Sequence, residues 1–141
     1  MKPASFTGRR QIEGNASGEA LISRRAFTFA HGVDPATGKV TDIRSDIRGH
    51  NVRGKVLFYP FGKGSTTASA WFLETFRLGN APAAVVTEST DLSAVIGSVL
   101  AKVVYGKSVP VLSSFPEELY SRVKNGNQIT VRGKAEVVLE G

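Results

Sequence analysis

Lys55-Val56-Leu57-Phe58-Tyr59-Pro60-Phe61-Gly62-Lys63-Gly64-Ser65-Thr66-Thr67-Ala68-Ser69 is the stretch that decides how this chain is built. Residues 55–59 are β-branched, aromatic and aliphatic and read as a strand. Residues 66–78 carry Ala68, Phe72 and Phe76 at i, i+4 and i+8, with Trp71 and Leu78 on a second flank, and read as a well-buried helix. Gly62 and Gly64 supply the sharp turn between the two. A strand that turns directly into a helix leaves backbone N–H groups free at the helix start. Together with the positive end of the helix dipole they favour a bound anion or a developing oxyanion. Ser65 is delivered to that corner.

The pattern continues on both sides. Leu78-Gly79-Asn80 is a helix stop, Ala83-Ala84-Val85-Val86-Thr87 a buried strand, and residues 91–105 a helix. On that helix Leu92, Val95, Ile96, Val99, Leu100 and Val103 share one face, with Thr90 or Asp91 as cap and Tyr105-Gly106 as end. Val109–Leu112 gives a short strand. Ser114-Phe115-Pro116-Glu117 has capping-box spacing and starts a short helix that stops near Asn125-Gly126. Residues 128–132 and 135–139 read as closing strands around Gly133. Upstream, residues 18–23 and the flanks of Phe27-Thr28-Phe29 look extended. His31 to Val40, with Asp34-Pro35 and Gly38, reads as a turn between extended segments, and residues 41–54 as a polar ordered loop. Two strand–helix–strand crossovers require at least three parallel strands. With β-rich ends, the expected class is α/β, a mixed sheet or partly closed barrel, formed as one domain over residues 1–141.

Composition narrows the function. Of 141 residues, 41% are apolar and 21% charged, which is ordinary for a globular chain. The start, Met1 to Phe6, lacks the apolar core of a signal peptide, and no apolar run is long enough to span a bilayer; a cytoplasmic location is expected. There is no cysteine, so the chain supplies no thiolate nucleophile and no Cys ligand to iron or zinc; an iron–sulfur cluster would have to sit mostly on another chain. His31 and His50 are too few for a His-rich metal site and read as surface or turn residues. The net charge of +6 permits nucleic acid as a partner. The basic residues are scattered, however, with only the pairs Arg9-Arg10 and Arg24-Arg25, so a solvated basic surface or an anionic small substrate is the better reading.

Several motifs fail at the glycine turn. A phosphate-binding P-loop needs a glycine at position 57, which is Leu, and Ser or Thr after Gly62-Lys63, where Gly64 stands. A dinucleotide fingerprint needs a small residue at Thr67. The nucleophile elbow of hydrolases needs glycines at positions 63 and 67, which are Lys and Thr. Asp34, Asp42 and Asp46 are read as solvated loop carboxylates rather than an acid cluster. The bland account of the turn is that Ser65 only caps the helix. Ser65, Thr66, Thr67 and Ser69 are more hydroxyls than a cap needs, which favours a site.

Gly18-Glu19-Ala20-Leu21, Gly32-Val33-Asp34-Pro35-x-Thr37-Gly38, Gly62-Lys63-Gly64-Ser65-Thr66, Asn80-Ala81-Pro82-Ala83-Ala84 and the long apolar helix, in this order, resemble the small swivelling subunit of aconitase X over residues 6–132. The resemblance implies the swivelling β/β/α domain of the aconitase superfamily. It implies a separate large subunit that carries the iron–sulfur cluster, so that this chain binds none alone, and removal of water from a hydroxy acid. Archaeal members point to (R)-5-phosphomevalonate, in a modified mevalonate route to isoprenoids; others act on cis-3-hydroxy-L-proline. The family's proton-accepting serine falls on Ser65. Gly64, Thr66, Thr67 and Lys63 would then meet the anionic substrate. Two departures stand out. Thr67 occupies the place of the arginine in the Gly-Ser-Ser-Arg of ordinary aconitases, and Tyr105–Pro110 lengthens the segment after the long helix. Two other readings remain: a non-catalytic module that binds an anion or a partner at the same helix start, and a basic nucleic-acid-binding domain.

Overall fold

The computed structural model describes residues 3–63, 66–133 and 135–140. Its strands are β1 (Ala4–Thr7), β2 (Arg9–Ile12), β3 (Ala16–Ile22), β4 (Val56–Tyr59), β5 (Ala84–Thr87), β6 (Val111–Ser113), β7 (Gln128–Arg132) and β8 (Glu136–Leu139). The helices are α1 (Thr66–Arg77), α2 (Leu92–Tyr105) and α3 (Glu117–Arg122). They form one mixed sheet in the order β1-β8-β7-β3-β4-β5-β6-β2. The strands β4, β5 and β6 run parallel, as two crossovers demand; β3 joins them in parallel through the long loop 23–55, and the outer pairings are antiparallel.

β3 belongs to both halves of the sheet. Its first residues, Ala16–Glu19, pair antiparallel with β7, and Ala20–Ile22 pair parallel with β4. Burial follows the change: it alternates along the first half and is continuous along the second, where both faces are covered. At the other extreme, β1 and β2 lie on opposite edges of the sheet but are joined by Gly8 alone. The sheet therefore curls into a nearly closed barrel. Gly8 lies flat on Phe115: a Cβ there would sit 2.4 Å from the ring. β1 and β2 lie upstream of the segments expected to be extended.

Alternation along β4 sorts the interior. Val56 and Phe58 point into the barrel with Ile22, Val86, Leu112, Leu119 and Ile129. Leu57 and Tyr59 point to the opposite side, under α1 and α2, with Phe27, Phe29, Phe72, Val85 and Ala94. The His31–Val40 turn forms as expected: the N–H of Gly38 donates to the Asp34 carbonyl at 2.7 Å, and Val33 bridges Val40. Residues 27–29 make only a single bridge, Phe27 to Gly62, rather than a strand.

One local expectation is corrected. Ser114 takes a left-handed φ of 62° and gives no side-chain cap; Pro116 is the N-cap of α3, so the capping-box spacing is not used. The large apolar face of α2 is turned outward, with Leu92 67% and Val103 75% exposed. The face turned inward is Ala94, Gly97, Ser98 and Ala101. Small residues win there because α2 lies tight on α1: a Cβ on Gly97 would sit 2.7 Å from Phe72. Ser98 is fully buried and ties α2 to the next segment, donating to the Val109 carbonyl at 2.6 Å and accepting its N–H at 2.9 Å. No helix among the described residues is long and apolar enough to cross a membrane.

Candidate active site

Parallel strands leave their carboxyl ends on one edge, and loops there converge. On this edge β4 runs into Pro60-Phe61-Gly62-Lys63, and α1 opens at Thr66. Gly64 and Ser65, the centre of the sequence prediction, lie outside the described residues, and only the backbone of Thr66 is described. What surrounds them is defined. The carbonyl of Pro60 accepts the N–H groups of Glu88 and Ser89 from the loop after β5, at 3.1 and 3.0 Å. The carbonyl of Glu88 accepts the N–H of Ser114 from the loop after β6 at 3.0 Å. On the other flank, Phe27 N–H donates to Phe61 at 3.1 Å, and Lys63 N–H donates back to Phe27 at 2.9 Å. The turn is thus clamped from both sides.

Beneath it lies a buried acid. Asp91 is 8% exposed; it caps α2 by accepting the Ser93 N–H at 3.0 Å and accepts the Tyr59 hydroxyl at 2.7 Å. Burial, and then the negative charge of Asp91, push the Tyr59 hydroxyl well above its ordinary range, so it stays protonated and donates. The carboxylate of Asp91 presses against Gly62, where a Cβ would lie 2.4 Å from its Cγ. The sequence offered Asp91 only as a cap; its contact with the turn is a product of tertiary structure. Tyr120 lies on the barrel side, edge-on to Phe58. Its hydroxyl is buried without a hydrogen-bond partner among the described residues. Burial, then nearby Glu88, hold it above the normal tyrosine range.

The cationic residues divide. Lys63 pairs with Asp42 at 3.0 Å. The Asp42 carboxyl is held below its ordinary value, first by the Arg44 N–H and then by Lys63. Asp46 instead accepts the Ser23 hydroxyl at 2.6 Å and the Arg24 N–H at 2.8 Å, and Asp34 accepts the Ala36 N–H. The three loop aspartates therefore serve separate local contacts and form no acid cluster. Thr67 is exposed on the first turn of α1 and lines a shallow depression with Pro35, Ala70, Trp71 and Glu74. His31 packs on the Trp71 ring, 4.5 Å between centroids.

Comparison with known proteins agrees with this architecture. The family model described as the aconitase X swivel domain matches residues 5–140. The phosphomevalonate dehydratase small subunit of Pyrococcus furiosus is 34% identical over 137 residues, covering 95% of this chain and 96% of the relative. The protein of the same name from Thermococcus sibiricus is 37% identical over 134 residues, covering 94% and 96%. Among solved structures, a chain of Thermococcus kodakaraensis aconitase X in its holo-form superimposes with a TM-score of 0.87 at 32% identity, covering 98% of this chain and 99% of that one. The match spans both the antiparallel half of the sheet and the crossovers that carry the glycine turn, and so the chain belongs to the aconitase X swivel-domain family.

Proposed function

We propose that this chain is the small subunit of an aconitase X-type hydro-lyase that removes water from (R)-5-phosphomevalonate, with Ser65 as proton acceptor. The observation that carries the reading is the place of the glycine turn. It leaves β4 on the carboxyl edge of four parallel strands and enters α1 at Thr66, clamped on both flanks. The substrate is supported by relatives of that name that match nearly the whole chain.

The chemistry asks much of a serine, whose hydroxyl is ordinarily a very weak acid. Backbone N–H groups and the dipole of α1, in a cleft closed by a companion, favour the alkoxide. The alkoxide takes the proton from the carbon next to the one bearing the hydroxyl. The C–H pair becomes the C=C bond, the C–O bond breaks, and hydroxide and the abstracted proton make up the water released. Gly64, Thr66 and Thr67 serve the anionic substrate at the helix start, with Lys63 tuned by Asp42.

The iron–sulfur cluster of this enzyme class belongs, in this reading, to the large subunit. The residues of this chain do not fit such a group: there is no cysteine, and among the described residues no set of three His, Cys, Asp or Glu is gathered to hold a metal. A companion is further supported by the outward apolar face of α2, Leu92, Ile96, Val99, Leu100, Val103, Val104 and Tyr105, which is more exposed hydrocarbon than a solitary chain normally leaves on one helix.

The test is co-expression with a cysteine-bearing large subunit and an anaerobic dehydration assay on phosphomevalonate and cis-3-hydroxy-L-proline. Ser65→Ala is expected to lower kcat by about 10²–10⁴-fold with assembly intact. Near-normal turnover of that variant removes Ser65 from catalysis and leaves an anion- or partner-binding module. Turnover of the proline derivative alone replaces the substrate.

A further inference from the structure

Arg24 and Arg25 stand one residue beyond the end of β3, on the same edge as the glycine turn, and they do different things. The Arg24 guanidinium is spent on the end of α3, donating to the carbonyls of Tyr120 and Val123. Arg25 donates one N–H to the Arg44 carbonyl at 3.2 Å. Neither the Arg25 nor the Arg44 guanidinium lies within ion-pair distance of a carboxylate among the described residues, and both residues are exposed.

Their placement is built rather than loose. The strap 23–27 is bonded at one end to β4, Ser23 N–H to the Phe58 carbonyl at 2.9 Å, and at the other to the turn itself through Phe27. Ser23 is fully buried, and its hydroxyl is held by Asp46 while it accepts the Arg25 N–H at 3.2 Å. The loop that carries Arg44 is tied to the turn by the Asp42–Lys63 pair. Three segments thus converge beside the turn. Of the four cations on these segments, Arg24, Arg25, Arg44 and Lys63, only Lys63 stands in an ion pair among the described residues, while Asp46 is taken up by the Ser23 hydroxyl and the Arg24 backbone N–H.

We propose that Arg25 and Arg44 form the phosphate site of the substrate cleft, Lys63 being set beside them by Asp42. The assignment rests on the dehydratase reading above and adds to it the residues that hold the end of the substrate remote from the reacting carbon. Two guanidiniums with free planar donors suit a phosphate dianion, which takes forked hydrogen bonds from each. A single carboxylate would engage one of them.

The test uses the complex of this chain with its large subunit. Arg25→Gln, Arg44→Gln and the double variant are compared with Arg53→Gln, an exposed arginine outside these segments. Each single variant is expected to raise KM for the phosphorylated substrate about 10- to 100-fold, the worth of a charged hydrogen-bond pair, with kcat within about threefold. Inhibition by inorganic phosphate should weaken by the same factor, and Arg53→Gln should change neither. Unchanged KM and unchanged phosphate inhibition in the double variant overturn the site. An equal rise in KM for the unphosphorylated hydroxy acid overturns the phosphate assignment in favour of a carboxylate contact. If the wild-type complex dehydrates neither acid, the dehydratase reading fails by itself. The site is then judged by calorimetric titration of inorganic phosphate into the complex: binding lost in the double variant keeps it, and no binding to wild type ends it.

Discussion

The carboxylate of Asp91 lies in contact with the α-carbon of Gly62, so that the cap of α2 is also the floor of the turn after β4. Neither group has room to move: Asp91 is held by the Tyr59 hydroxyl and the Ser93 N–H, and Gly62 is bridged to Phe27. A methyl at Gly62 would sit 2.4 Å from Cγ of a side chain that cannot swing away. Gly62→Ala is therefore expected to cost about 1–3 kcal/mol in urea unfolding. Under the proposed function, turnover of the reconstituted complex should fall at least about tenfold, because Gly62 stands three residues before Ser65 in the sequence. Normal stability together with normal turnover would show the contact to be slack.

The two buried tyrosine hydroxyls predict opposite responses. Tyr59 donates to a buried carboxylate, so Tyr59→Phe leaves Asp91 short of a donor and should cost about 1–3 kcal/mol. The Tyr120 hydroxyl has no partner among the described residues. Removing an unsatisfied buried group is neutral or favourable, so Tyr120→Phe should leave stability unchanged or raise it by up to about 1 kcal/mol. Thermal or urea unfolding of the two variants side by side decides the matter. A large loss in Tyr120→Phe would mean that the hydroxyl is engaged.

Asp42 makes the turn sensitive to acid. Its folded-state carboxyl titrates below its ordinary value of 3.8, held down by the Arg44 N–H and by Lys63. A depressed acid contributes stability that is fully present above the unfolded value and is lost as pH falls through the folded one. The Asp42–Lys63 tie is thus complete at neutral pH and should weaken only below about pH 4. Lys63→Met should move the carboxyl titration of Asp42 upward, read by NMR, without abolishing the shift, because the Arg44 N–H remains. An unmoved titration would count against the ion pair in solution.

The two faces of α2 should tolerate change very differently. Ile96→Gln and Val103→Gln alter outward side chains and are expected to shift folding stability by less than about 0.5 kcal/mol. Ala101→Leu adds bulk to the fully buried face and should cost about 1–3 kcal/mol. If the large subunit covers the outward face, the two Gln variants together should weaken assembly with it at least about tenfold, read by size exclusion or calorimetry. Unaltered assembly would place the companion elsewhere.

The crossovers were legible because their signals are local: strand 55–59, the glycine turn, the helix at 66–78 and the cap at Asp91 are each written in a few adjacent residues. The orientation of α2 was not. Its large residues keep helical spacing, and periodicity alone says that they share a face, not which way that face looks. The small residues Ala94, Gly97, Ser98 and Ala101 keep the same spacing, and the nearness of Phe72 chose them for the interior.

Sequence by itself determined the order of parallel strands and helices, the lack of any thiolate for a metal cluster, and the serine-bearing turn at a helix start. Tertiary structure alone decided that β1 and β2 fold through Gly8 to opposite edges and nearly close the barrel. It also set Asp91 under Gly62, and tied the segments that carry Arg25, Arg44 and Lys63 to one another beside the turn. The division has a physical cause. Backbone geometry and side-chain period act over a few residues, whereas closure, burial of an acid and convergence of segments depend on contacts between residues far apart in the chain, which no local pattern records.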